Sequence, residues 1–137
     1  MFNSNGEAFP EKIREIFLND QNDIFYSSVN ILEVEIKRIV RPLDNLPSGE
    51  ELIGFCSEAG FFPLSLRSEH TLLMKTLQKD TSVKDHKDPY DWLLISQAKS
   101  ENMKFITHDS KIQHVVELRA GLFESHPLCL AHLVERL

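Results

Sequence analysis

The sequence predicts an α/β protein with a parallel sheet flanked by helices, and the alternation of segment types is the main evidence. Apolar runs at residues 24–26 and 104–107 are typical of strands, and segments with helical spacing of apolar residues separate them. The chain has 137 residues, enough for one domain and too few for two, and 42% of them are hydrophobic. We therefore expect a single domain over residues 1–137.

The first third of the chain predicts a helix, a strand and a second helix. A helix begins at Pro10, since proline suits the first helical position and apolar residues follow at helical spacing. Residues 24–26 form a short β-prone strand. Ser27 is a good helix-start residue, and the helix after it ends near Val40 because Pro42 follows.

The middle third predicts a helix, an edge strand and a further helix. Ser48 and Glu51 fit a capping box, and Gly60 is a suitable residue for the helix end. Residues 61–66 form a strand that we place at the edge of the sheet, since proline is tolerated there. Another helix begins at Ser68.

The last third contains the clearest helix signal. Asp88 is a helix cap followed by proline at the first helical position. Residues 104–107 form a strand, and Asp109 caps the next helix. Leucine and valine at helical spacing over residues 130–137 predict a terminal helix.

Composition excludes several classes of protein. No apolar stretch approaches the roughly 18 residues that a membrane span requires. The net charge of -6 argues against a large surface that coats nucleic acid, although not against an acidic metal site that acts on it. Cys56 and Cys129 form no motif spacing and indicate a reducing, cytoplasmic setting.

Glu33 is the first of three acidic residues at unexpected positions. It shares one face of its predicted helix with Val29, Ile36 and Val40, which are apolar. An ionised carboxylate inside a core-facing stripe is unfavourable unless a cation compensates it. The alternative is that Glu33 lies at the edge of the stripe and extends its carboxylate to water.

Asp91 and Asp109 are the other two. Asp91 shares a helix face with apolar residues, and Asp109 opens a helix directly after a strand. Both positions also suit helix capping, which is the alternative interpretation of each. Asp88 is interpreted as a structural cap.

The predicted strands place these three acids near one edge of the sheet. Sites in open α/β sheets form beyond the carboxyl ends of the strands. Clustered carboxylates without histidine or cysteine favour Mg²⁺ or Mn²⁺. Such ions can activate a water molecule for attack on a phosphodiester.

Three motifs resemble PIN-domain proteins. Residues 86–98, HKDPYDWLLISQA, resemble the family's H-x-D-P-F-D-R-x-L-I-A-Q-A segment, and residues 106–109, ITHD, resemble its V-T-x-D. Residues 26–37, YSSVNILEVEIK, resemble its V-S-x-x-S-x-W-E-I-x-I-K. The order and separations agree over about residues 10–116, and residues 121–137 form a tail that does not match.

This resemblance implies a VapC-type toxin of a bacterial toxin–antitoxin pair, a Mg²⁺- or Mn²⁺-dependent ribonuclease. It implies a PIN-like three-layer sandwich, an RNA substrate, a cognate antitoxin and a homodimer. Glu33, Asp91 and Asp109 match the second, third and fourth acids of the family's metal site, and Thr107 would orient the site through its hydroxyl. On this basis we expect a metal-dependent endoribonuclease.

The first strand of the family, which ends in the first metal-binding Asp, has no counterpart here. We therefore expect a truncated chain, a misassigned start or an engineered deletion, with weak or absent activity. The lost strand is central in the family, so the tail or another copy of the chain would have to fill its place. Two alternatives remain: a degenerate, non-catalytic PIN domain that binds a protein partner, and an unrelated α/β domain whose acids are ordinary caps.

Overall fold

A computed structural model describes residues 11–79, 88–106 and 128–131. The α-helices in this part are α1 (Glu11–Leu18), α2 (Ser28–Val40), α3 (Gly49–Glu58), α4 (Ser68–Leu73) and α5 (Pro89–Ser100). The strands are β1 (Asp23–Ser27), β2 (Phe62–Leu64), β3 (Lys104–Ile106) and β4 (Leu128–Ala131), and short 3-10 helices cover Pro42–Asp44 and Met74–Lys79. None of the described helices has the length and apolar character needed to cross a membrane.

The four strands form one parallel sheet in the order β2-β1-β4-β3. Phe25 of β1 is in register with Phe62 of β2 and with Leu130 of β4, and Leu130 is also in register with Phe105 of β3. This sheet, flanked by helices, confirms the predicted fold class. β2 lies at the edge, as its proline predicts.

Three predicted helix starts are confirmed by side-chain caps. The Ser27 hydroxyl accepts a hydrogen bond from Val29 N at 2.9 Å, and the Ser48 hydroxyl accepts one from Glu51 N at 3.0 Å. The Asp88 carboxylate accepts a hydrogen bond from the backbone N–H of the second helical residue of α5 at 2.9 Å. Each cap satisfies a backbone donor that the first helical turn leaves open.

Two apolar clusters lie on opposite faces of the sheet, because neighbouring strand residues alternate between them. One packs β-strand residues against α5 and the second packs them against α1 and α3. The buried members of the first are Val29, Leu77, Leu94, Ile95, Ala98, Met103, Phe105 and Leu130. Those of the second are Ile24, Tyr26, Cys56, Phe61, Ile106, Cys129 and Ala131. The helices and the sheet thus form three layers.

The prediction of a terminal helix over residues 130–137 is wrong at its start, because Leu128–Ala131 is the strand β4. β4 lies between β1 and β3 and pairs with both. A short apolar run that is buried on both faces of a parallel sheet needs no alternation, so its pattern does not distinguish it from a helix. The tail therefore supplies an interior strand of the described sheet.

Smaller differences concern the ends of elements. The helix that begins at Ser68 changes to 3-10 geometry at Met74. The predicted edge strand is limited to Phe62–Leu64, and the strand before Thr107 is described as far as Ile106. The helix predicted to begin at Asp109 lies outside the described residues.

Candidate metal site at the start of α2 and α5

Glu33 lies in the second turn of α2, and only 3% of its surface is exposed. The buried face of the helix consists of Val29, Asn30, Glu33 and Val34. Val40, which was expected on this face, is exposed, so the apolar stripe ends earlier than its spacing predicts. The burial of Glu33 contradicts the alternative in which its carboxylate reaches water.

Asp91 lies in the first turn of α5 and is also 3% exposed. α5 leads directly into β3, so it runs against the strand direction and begins on the carboxyl side of the sheet. The capping oxygen of this helix comes from Asp88, as predicted. Asp91 is therefore not the N-cap of α5, although a carboxylate at this third helical position can also stabilise the start of the helix.

The donor set of these two side chains fits a hard divalent cation. Both are carboxylates, the ligand type that Mg²⁺ and Mn²⁺ prefer. Within the described residues, Glu33 Oε1 and Asp91 Oδ1 are buried and accept no hydrogen bond, although both side chains make further contacts. Lys37 Nζ lies 3.4 Å from the other carboxylate oxygen of Glu33.

Hydrogen bonds fix the first turn of α2 to its neighbours. The Ser27 hydroxyl, which caps α2, donates to Gln97 Oε1 of α5. Asn30 Nδ2 donates to the carbonyl oxygen of Ala131 at 3.1 Å, at the end of β4. All four residues are buried. The helix that carries Glu33 is thus held against both α5 and the interior strand.

Asp109 and Thr107, the remaining predicted site residues, lie outside the described residues. Three further polar residues of this region, Lys37, Asn30 and Gln97, were not predicted from the sequence, although all three lie inside the motifs quoted above. The sequence does contain patterns that indicate two of them. Lys37 is four residues after Glu33, a spacing that allows an ion pair on a helix, and Gln97 continues a buried helix face. Each could have been noticed as a polar residue beside or within an apolar stripe.

A second polar cluster lies at the start of α4. Ligand atoms of Glu69, His70 and Glu101 lie within 4.8 Å of one another. However, Arg67 Nη2 lies between the two acids, 2.5 Å from Glu69 Oε1 and 2.7 Å from Glu101 Oε1. The guanidinium therefore already supplies the positive charge that these carboxylates need.

Both ring nitrogens of His70 have partners in this cluster. Nδ1 accepts a hydrogen bond from Arg67 N at 3.0 Å, which places the ring proton on Nε2, 2.8 Å from Glu101 Oε1. A metal ion would have to displace these bonds and the arginine. We interpret the cluster as a structural network that joins α4 to the end of α5.

The two cysteines are not candidates for thiol chemistry. Burial raises the pKa of Cys56 to about 12 and that of Cys129 to about 11. Both thiols are free and buried, so they stay protonated near neutral pH. Cys129 is instead a core residue of the interior strand.

Comparison with known families agrees with the fold. The sequence profile of the PIN domain family matches residues 1–118 of this chain. The chain therefore belongs to the PIN domain family, whose members are generally metal-dependent nucleases and typically bind divalent metals. No curated protein and no solved structure matches the chain significantly.

Proposed function

We propose that this protein is a Mg²⁺- or Mn²⁺-dependent endoribonuclease in which Glu33, Asp91 and Asp109 hold the metal ion. The burial of both Glu33 and Asp91 in a PIN-family chain is the observation that carries this proposal. Buried carboxylates are unfavourable without a compensating cation. Lys37 Nζ lies 3.4 Å from one carboxylate oxygen of Glu33 and compensates part of this charge, and the metal ion would compensate the rest together with the charge of Asp91. Thr107 would orient the site through its hydroxyl.

Each residue has a distinct part in this mechanism. The carboxylates of Glu33 and Asp91 would hold the ion, and the helices that carry them are joined by the hydrogen bond between Ser27 and Gln97. The ion would supply activation of a water molecule and compensation of charge on the RNA phosphodiester.

The finer role that we propose is that of a VapC-type toxin, a homodimer inhibited by a cognate antitoxin in the cytoplasm. We expect its activity to be weak. β4 lies inside the described sheet, and its sequence, Leu-Cys-Leu-Ala, has no carboxylate. The family's central strand ends in an acid, so an acid-free strand in that position would lower the affinity for a divalent cation.

The test is RNA cleavage in the presence of Mn²⁺ by the wild-type chain and by Asp91→Asn. We expect the substitution to abolish cleavage, because an amide binds the cation less strongly than a carboxylate. Asp44→Asn, which makes the same change on the exposed 3-10 helix, should cleave like the wild type. Equal rates for wild type and Asp91→Asn would show that the cleavage does not come from this site.

The acid-free strand β4 also favours a second candidate function, a non-catalytic PIN domain that binds a protein partner. In that case the chain would bind Mn²⁺ no better than Asp91→Asn does, and neither would cleave RNA. Growth of bacteria that express the chain separates a toxin from a nuclease that is not a toxin and from a non-catalytic binding domain. If the wild type arrests growth and Asp91→Asn does not, the result supports a catalytic toxin. If both arrest growth, the result contradicts a catalytic toxin.

A further inference from the structure

Lys37 forms a mostly buried ion pair with the candidate metal ligand Glu33. Its Nζ lies 3.4 Å from Glu33 Oε2, and the two residues are one helical turn apart on α2. The side chain of Glu33 is 4% exposed and that of Lys37 is 23% exposed. The ammonium therefore lies at the boundary between a buried carboxylate and the solvent.

This pair differs from an ordinary pair on a helix surface. Exposed pairs four residues apart contribute little, because water and salt screen both charges. A buried carboxylate is not screened in this way, and it destabilises the fold if its counter-ion is removed. Lys37 thus compensates part of the charge of Glu33.

A divalent ion at Glu33 would compete with this ammonium for the same carboxylate. The two cations carry like charges, so each weakens the binding of the other. Because Lys37 is long and partly exposed, its side chain can turn toward solvent while its aliphatic part stays on the helix.

We propose that Lys37 is an internal counter-ion that holds Glu33 until a divalent cation displaces it, and so raises the metal concentration that the site requires. This inference rests on the proposed function, since it takes Glu33 to be a metal ligand. It gives Lys37 a role in setting the metal affinity of the site that the nuclease mechanism alone does not assign.

The test is the affinity of the full chain for Mn²⁺ alone, measured by calorimetry. Lys37→Met removes the charge and keeps the aliphatic stem, and we expect it to bind Mn²⁺ about tenfold more tightly. Lys37→Arg keeps the charge and should stay within about twofold of the wild type. Arg38→Met removes one positive charge from an exposed neighbour on α2 and is the matched control, also within about twofold.

Thermal unfolding in EDTA provides a second readout. Without metal, Lys37→Met should melt at a lower temperature than the wild type, because the buried carboxylate of Glu33 loses its ion pair with Lys37. The double variant Glu33→Gln/Lys37→Met should recover the melting temperature, since the buried charge is gone. If Lys37→Met does not fold in EDTA, folding of the double variant there supports the proposal and its failure to fold overturns it.

The outcomes separate this inference from the proposed function. Equal Mn²⁺ affinities of Lys37→Met and Arg38→Met would overturn the role of Lys37. If Asp91→Asn meanwhile loses Mn²⁺ binding, the metal site stands and only the counter-ion proposal fails. If Asp91→Asn binds Mn²⁺ like the wild type, the metal site itself is wrong.

Discussion

The interior strand β4 should make a large contribution to stability, and Leu130→Ala tests this directly. Leu130 is fully buried and pairs in register with β1 and β3. It belongs to the apolar cluster that packs the sheet against α5. The substitution leaves the backbone pairing intact and removes only the side chain from this cluster.

The expected loss follows from the buried volume. Leucine-to-alanine changes in cores reduce the free energy of unfolding by about 2–5 kcal/mol, depending on how far the surroundings close the cavity. The neighbours of Leu130 are held on both sides by strand pairing, so the cavity can close little, and we expect about 3–4 kcal/mol. For a domain of this size, this corresponds to a fall in melting temperature of roughly 10–15 °C.

The assay is urea unfolding at neutral pH, with Leu43→Ala as the control. Leu43 is 95% exposed on the 3-10 helix after α2, so its truncation should change the free energy of unfolding by less than about 0.5 kcal/mol. A loss below about 1 kcal/mol for Leu130→Ala would refute the placement of this strand inside the sheet.

Two further predictions concern the glycines of α3 and the buried thiols. Gly49→Ala should destabilise the fold by about 1–2 kcal/mol. A Cβ there would lie 2.7 Å from Glu35 Oε1, so the Glu35 side chain has to move. This movement breaks the hydrogen bond that Oε1 accepts from the Gly49 N–H at 2.6 Å. Gly54→Ala in the same helix meets nothing within 4 Å and should stabilise by up to about 1 kcal/mol, so urea unfolding of both variants must give opposite signs. Burial raises the pKa of Cys56 from 9.0 to about 12, so the unfolded chain loses this proton first and stability falls as the pH rises above about 9. From this thiol we expect a loss of about 1.4 kcal/mol between pH 7.5 and pH 10 that Cys56→Ala does not show, and an equal loss in that variant would contradict the prediction.

The helix starts could be predicted from the sequence because the contacts that define them are local. Ser27, Ser48 and Asp88 each accept a backbone N–H two or three residues later. Such a bond depends on few neighbours, so residue type and position indicate it well. The edge position of β2 was predictable for a similar reason, since its proline cannot donate to a strand on that side.

The interior strand could not be predicted because its partners are distant in the sequence. Residues 128–130 pair with 23–25, and nothing in their local pattern separates a buried strand from a short helix. The site shows the same limit. The spacing placed Glu33 on an apolar face. Only the structure shows that its carboxylate is buried and that Lys37 Nζ lies 3.4 Å from it.

The site and the interior strand depend on each other. Asn30 lies one turn before Glu33 and donates to the carbonyl of Ala131, across 101 residues of sequence. The first turn of α2 therefore makes this hydrogen bond only when the end of β4 has paired with its neighbours β1 and β3. Long-range pairing of this kind forms late and loses the most chain entropy. A change that loosens β4 should thus disturb the buried carboxylate of Glu33, the proposed metal ligand, as well as the sheet, even though the strand itself carries no acid.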